Sequence, residues 1–174
     1  MLSRINVLKI IVDHFKTLKS LNQASKAIYW KDFILFIGLP LAVSTIATCA
    51  NYSLQSQVTN LIAAASIIGG FLFNLLAIIY GQIDKIKADA DTEENYLKKI
   101  FVGEIHINIS FCIVLSIILV CTLILYSIDF KGEKILEILN RGLLAFNYFL
   151  ISEFLLTILM VINRVYILLK KDTI

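Results

Sequence analysis

Between Phe33 and Ile83 the chain carries no charged side chain, an uninterrupted run of 51 residues. A water-soluble domain covers its surface with polar groups, about a quarter of its residues being charged, and this run leaves no material for such a surface. An α-helix rises ~1.5 Å per residue, so about 20 apolar residues span the hydrocarbon core of a bilayer. The run is therefore long enough to cross twice, with a turn between. The rest of the chain agrees, since 59% of its 174 residues are hydrophobic, 17% are charged and the mean hydropathy is +0.83. An all-α integral membrane protein is the predicted class.

Four crossings are expected, at about 33–50, 58–80, 105–126 and 143–163. Tyr29 and Trp30 stand just ahead of the first, where aromatic anchors meet a membrane interface. Pro40, the only proline, falls inside the first crossing, where its missing N–H kinks a helix and neighbouring helices must satisfy the freed carbonyl. The uncharged linker Asn51–Gln57 turns the chain. Basic residues fix a direction. Six precede the first crossing, four lie between the second and third, and three follow the fourth, so thirteen fall on one side. The other side holds only Lys131, Lys134 and Arg141. By the positive-inside rule both termini face the cytoplasm, which makes the expected location the inner (plasma) membrane.

Outside the bilayer the chain also reads as helical. Residues 1–31 form the expected cytoplasmic or interfacial part, and 32–174 the transmembrane domain. Over residues 1–19, Ile5, Leu8, Ile11, Val12, Phe15 and Leu18 fall toward one side and Lys9, Lys16 and Lys19 elsewhere. Such a basic amphipathic helix can lie on an anionic leaflet or pack on a partner helix. Ser20–Gln23 has capping-box spacing and starts a second helix. Asp84–Lys99 extends the second and third helices into a cytoplasmic helical hairpin, with Asp91–Glu94 capping the return helix. The N-terminus lacks the compact apolar core and small-residue site of a cleavable signal.

Two features interrupt the apolar pattern. In the second crossing Asn60, Ala63, Ser66, Gly70, Asn74, Ala77 and Gly81 recur every three or four residues and share one face at 100° per residue. Leu61, Ile68, Leu72, Leu75 and Ile79 form the opposite face, suited to lipid. Ser66 and Gly70 have the small-xxx-small spacing that lets helix backbones approach closely. The stripe therefore packs inside one subunit or lines a water-filled path shared by several. Glu153 is the second feature, standing in the fourth crossing with no other charge between Arg141 and Arg164. A charge at mid-helix costs about 2.5–3.5 kcal/mol on insertion scales, so it needs company. Arg164 is eleven residues away, roughly 16 Å along the axis, too far to reach. Either Glu153 is neutral and hydrogen-bonded to hydroxyls such as Ser44, Thr45 or Ser116, or it forms an acidic, cation-favouring ring around a shared aqueous path. Asn74 and Asn108 fall at similar depths and could bond each other.

Catalytic signatures are missing: the sequence has no HExxH, GxSxG or Walker lysine loop. Its histidines, His14 and His106, stand far apart, and Cys49, Cys112 and Cys121 show no ligand spacing. No enzyme, cofactor or metal is expected. The stretch Ile67–Lys85, "IIGGFLFNLLAIIYGQIDK", sets paired glycines before an apolar run and a basic exit. It is similar to segments of the small multi-span transmembrane effectors of bacterial anti-phage defence systems, which the overall plan also resembles. That resemblance implies a pore-former that depolarises the cell, signalled by a co-encoded soluble sensor or its nucleotide product. Small multidrug transporters share four helices and a membrane glutamate, but theirs lies in the first helix and Glu153 in the last. The expected function is thus a homo-oligomeric channel in the lipid bilayer, with Glu153, Asn74, Ser66, Gly70, Asn60 and Asn108 as polar-interior candidates. Lys9, Lys16, Lys19 and Arg164 are the candidates for gating or partner contact. A non-conducting membrane scaffold for a soluble partner is the alternative.

Overall fold

The computed structural model describes residues 6–18, 32, 34–88, 93–128 and 134–173. Among them the fold is entirely helical, without strands. Its elements are α1 (Val7–Thr17), a single π turn (Ile34–Gly38) leading into α2 (Leu39–Cys49), α3 (Val58–Ala88), α4 (Glu93–Ser127) and α5 (Lys134–Thr173). Three segments are long and apolar enough to cross a membrane: Gln55–Gly81, Lys98–Ser127 and Ile135–Leu168. This is a membrane protein by the length and composition of its helices.

The expected second, third and fourth crossings fall within these three helices. For the first, the described residues give the apolar helix Ile34–Cys49, a rise of ~24 Å. Pro40 explains its form. In a continuous α-helix the ring would clash with a carbonyl one turn back and leave it without a donor. Here the wider π turn ends at Gly38, and Pro40 occupies the first turn of α2, where no donor is required. Tyr29, Trp30, the Ser20–Gln23 capping box and Asp91 lie outside the described residues. α3 runs on to Ala88 and α4 begins at Glu93, well beyond the apolar stretches.

Local chemistry sets the helix ends. Asn6 caps α1, its Oδ1 accepting from the Lys9 N–H at 3.0 Å. α2 ends at Cys49, and two residues on Asn51 has a φ of 55°, in the left-handed region that asparagine tolerates. Around it the Tyr52 N–H reaches the Ala47 carbonyl at 3.1 Å and the Asn51 N–H the Thr48 carbonyl at 3.2 Å. This paired closure satisfies carbonyls that the helix end would otherwise leave open. A 3₁₀ turn, Gln55–Gln57, then starts α3.

The chain groups into two compact units. One comprises residues 1–28, 70–114 and 157–174, so α1 belongs with segments of α3, α4 and α5. Its core holds Leu72, Ile79, Val102, Ile105, Ile109, Cys112 and Val161. The other comprises 29–69 and 115–156, with Phe36, Ala47, Ala65, Leu119, Leu123, Leu150 and Phe154 buried. There Ser44 donates to the Ala145 carbonyl at 2.6 Å, tying α2 to α5. Thr122 and Asn147 bond side chain to side chain at 2.7 Å, tying α4 to α5. Lipid tails give helices little hydrophobic reason to associate, so such packing and polar contacts hold the bundle.

Candidate functional site

Two groupings of polar side chains stand out. The first is the stripe on α3, and its orientation reverses the expectation. Val58, Ala65, Leu72 and Ile79 are buried, with Leu61, Ile68 and Leu75 half-buried, so the face read as lipid-facing packs inside the chain. Asn60, Ala63, Ser66, Gly70, Asn74, Ala77 and Gly81 are all exposed. The cause is visible at two adjacent glycines. A methyl group on Gly69 would stand 2.7 Å from Ser116 Oγ, so α4 meets the backbone of α3 there. One on Gly70 or Gly81 would meet nothing within 4 Å. Close intrachain packing thus uses Gly69, one residue off the stripe, and leaves the polar side chains looking outward. Asn60 gives its amide to Gln57 at 3.0 Å.

The second grouping lies under α1. His14 and Asn108 are fully buried, and His14 Nδ1 stands 2.9 Å from Asn108 Oδ1. Since that oxygen can only accept, Nδ1 carries the proton. The Thr17 hydroxyl is 2.8 Å from the same Oδ1 and 2.8 Å from the His14 carbonyl, one proton serving two acceptors. The His14 ring stacks on Phe111, centroids 3.8 Å apart at 15°. Arg164 joins from α5. One of its nitrogens donates to the Thr17 carbonyl at 2.9 Å and another to Glu104 at 2.8 Å. A guanidinium at the C-terminal carbonyls of α1 also meets the negative end of its dipole. Burial pulls the His14 pKa down to about 4, Arg164's charge adds to this, and the Asn108 bond opposes it. His14 is therefore neutral near pH 7.

Several expected pairings give way to this arrangement. Asn108 spends its oxygen on α1 and Asn74 is exposed, so the two asparagines do not pair. Arg164 is engaged with Glu104 and Thr17. Glu153 is buried, 3% exposed, inside its own chain. Of the hydroxyls considered for it, Ser44 serves Ala145, and Thr45 donates to the Leu41 and Ala42 carbonyls of its own helix. Lys9 is exposed, Lys16 is exposed and paired with Asp13 at 2.8 Å, and Lys19 lies outside the described residues.

His14, Thr17 and Glu104 were not among the sequence candidates. A signal existed: His14 and Thr17, three apart, interrupt the apolar arc of α1 on the side away from its lysines. Their counterpart Asn108 similarly interrupts the apolar start of the third crossing. Compared with known protein families, curated proteins and solved structures, the chain matches none.

Proposed function

We propose that this chain is a subunit of a homo-oligomeric channel of the inner membrane, with four crossings and both termini in the cytoplasm. One observation carries the reading: Asn60, Ser66 and Asn74 face outward on a helix apolar enough to span the bilayer. An amide facing hydrocarbon without a hydrogen-bond partner costs several kcal/mol. A second copy of the chain, or water held between copies, removes that cost. Backbones can approach closely along this face, because a methyl group on Gly70 or Gly81 would meet none of the described residues within 4 Å.

The fourth crossing is supported by what touches α4. About midway along it, His14 and Thr17 of α1 bond Asn108. At its end, Ser53 lies 3.5 Å from the Tyr126 hydroxyl and Gln55 donates to the Ser127 carbonyl at 3.4 Å. Ile34–Cys49, an apolar helix, is the segment proposed to make that crossing. An even number of passes puts both ends on the basic-rich side. The resemblance to anti-phage effectors supplies a setting: a pore opened by a co-encoded soluble sensor or its nucleotide product.

Cation flux into liposomes, or single-channel recording, tests the proposal. The chain conducts when the neighbouring soluble gene product or its nucleotide is present, and Asn74→Leu lowers the conductance at least tenfold. Glu153→Gln leaves selectivity unchanged, because that side chain is enclosed by its own chain. Silence under all these conditions, with the oligomer intact, would make the protein a membrane scaffold instead.

A further inference from the structure

We propose that α1 is a membrane-surface helix: the polar cluster fixes one side of it to the bundle, and the side carrying Leu8 and Val12 is seated in an anionic leaflet. The inference stands apart from the channel reading and rests on how the side chains of α1 divide around its axis.

At 100° per residue the helix has three sectors. His14, Thr17 and Leu18 form the packed sector, all buried. Lys9, Asp13 and Lys16 form the polar sector. Leu8 and Val12, one turn apart, form the third and are 75% and 52% exposed. Ile11 and Phe15 border this apolar sector and are half-buried. The apolar arc of α1 is thus wider than the contact with the bundle uses, and the surplus lies beside that contact.

Three observations identify lipid as the occupant. The first is depth. Asn108 and Phe111, the partners of His14, lie inside the apolar stretch of α4 that begins at Ile105, so α1 docks at the bilayer's edge. The second is charge. Residues 1–31 contain six lysines and arginines against the single carboxylate Asp13, a balance that draws an anionic headgroup layer. The third is size. Two exposed aliphatic side chains fall well short of a stable protein interface but suffice for shallow insertion when the flanking lysines meet headgroups. Long lysine stems carry their charges to the headgroup level while the helix lies below it.

The test uses the full chain with Cys49, Cys112 and Cys121 replaced and a nitroxide at Leu8→Cys, Val12→Cys, Lys9→Cys or Lys16→Cys in turn. Each protein is reconstituted in nanodiscs of phosphatidylcholine, with or without phosphatidylglycerol, and its accessibility to oxygen and to a water-soluble nickel complex is compared. Labels at 8 and 12 are expected to favour oxygen several-fold over labels at 9 and 16. Phosphatidylglycerol deepens them further, and Lys9→Glu with Lys16→Glu abolishes that deepening. Nickel access at 8 and 12 in both lipids would overturn the proposal in favour of a water-facing helix. Exclusion of both reagents would overturn it in favour of a protein cover. All four labelled positions lie outside the packed sector, so the readout does not depend on perturbing the fold.

Discussion

His14 shows why a buried polar residue has to be read with its neighbours. Taken alone, a histidine on an apolar helix suggests a ligand or a general base. With its Nδ1 proton on Asn108 and its ring flat on Phe111, it is a docking element for α1. Its pKa of about 4 lies below the ordinary 6.5, so the docked state binds fewer protons between those values. The docking of α1 is then at full strength above about pH 6.5, weakens as pH falls, and loses no more below about pH 4. The total loss is roughly 3 kcal/mol by linkage. Amide exchange across 7–17, followed against pH, should trace this window, and His14→Gln should flatten it. Glu104 and Arg164 face the same cluster, so Glu104→Gln serves as the control for carboxylate titration. Asn108→Leu strands the His14 Nδ1 proton while Thr17 keeps the His14 carbonyl, an expected cost of about 1–3 kcal/mol. Faster exchange in α1 with α4 unchanged is the predicted signature. The sequence marked Asn108 as polar in an apolar helix, but not its partner, because a contact 94 residues away leaves no local trace.

At the scale of the helix, periodicity resolved the two faces of α3 but not which one turns inward. In water that question answers itself, since the polar face is the wet one. In a bilayer both faces can meet apolar surroundings, and the choice falls to packing shape. Here it falls to Gly69, whose bare backbone receives Ser116. The neighbouring glycines therefore separate two functions. Gly69→Leu drives a side chain into α4 and should lower the thermal stability of the detergent-solubilised monomer by several degrees. Gly70→Leu projects into open space, so it should leave monomer stability within about 0.5 kcal/mol while weakening self-association. Equal effects of the two changes would mean that the stripe is an ordinary packing face. α2 carries a related lesson. Its apolar composition was plain, but its π turn was not, because Pro40 is accommodated by restarting the α-helix just before it.

For the molecule as a whole, composition told most, and for a simple reason: a chain with a 51-residue charge-free run has no other solvent than lipid. The helical class, the three long helices and the turn at Asn51–Gln57 follow from that. What composition leaves out is which surfaces remain unmatched once the chain has folded on itself. Glu153, the most conspicuous polar group in the sequence, is enclosed, whereas the quieter asparagines and serine of α3 are left outward. The functional account rests on that inversion. Its most direct test is oxidative cross-linking in native membranes of a chain lacking its three cysteines and carrying single cysteines at Ser66, Gly70 or Asn74, with Leu75 on the opposite face as the control. Covalent dimers at 66, 70 and 74, and few or none at 75, are predicted. Monomer at every stripe position, in membranes where the protein is folded and abundant, would contradict an assembly built on this face.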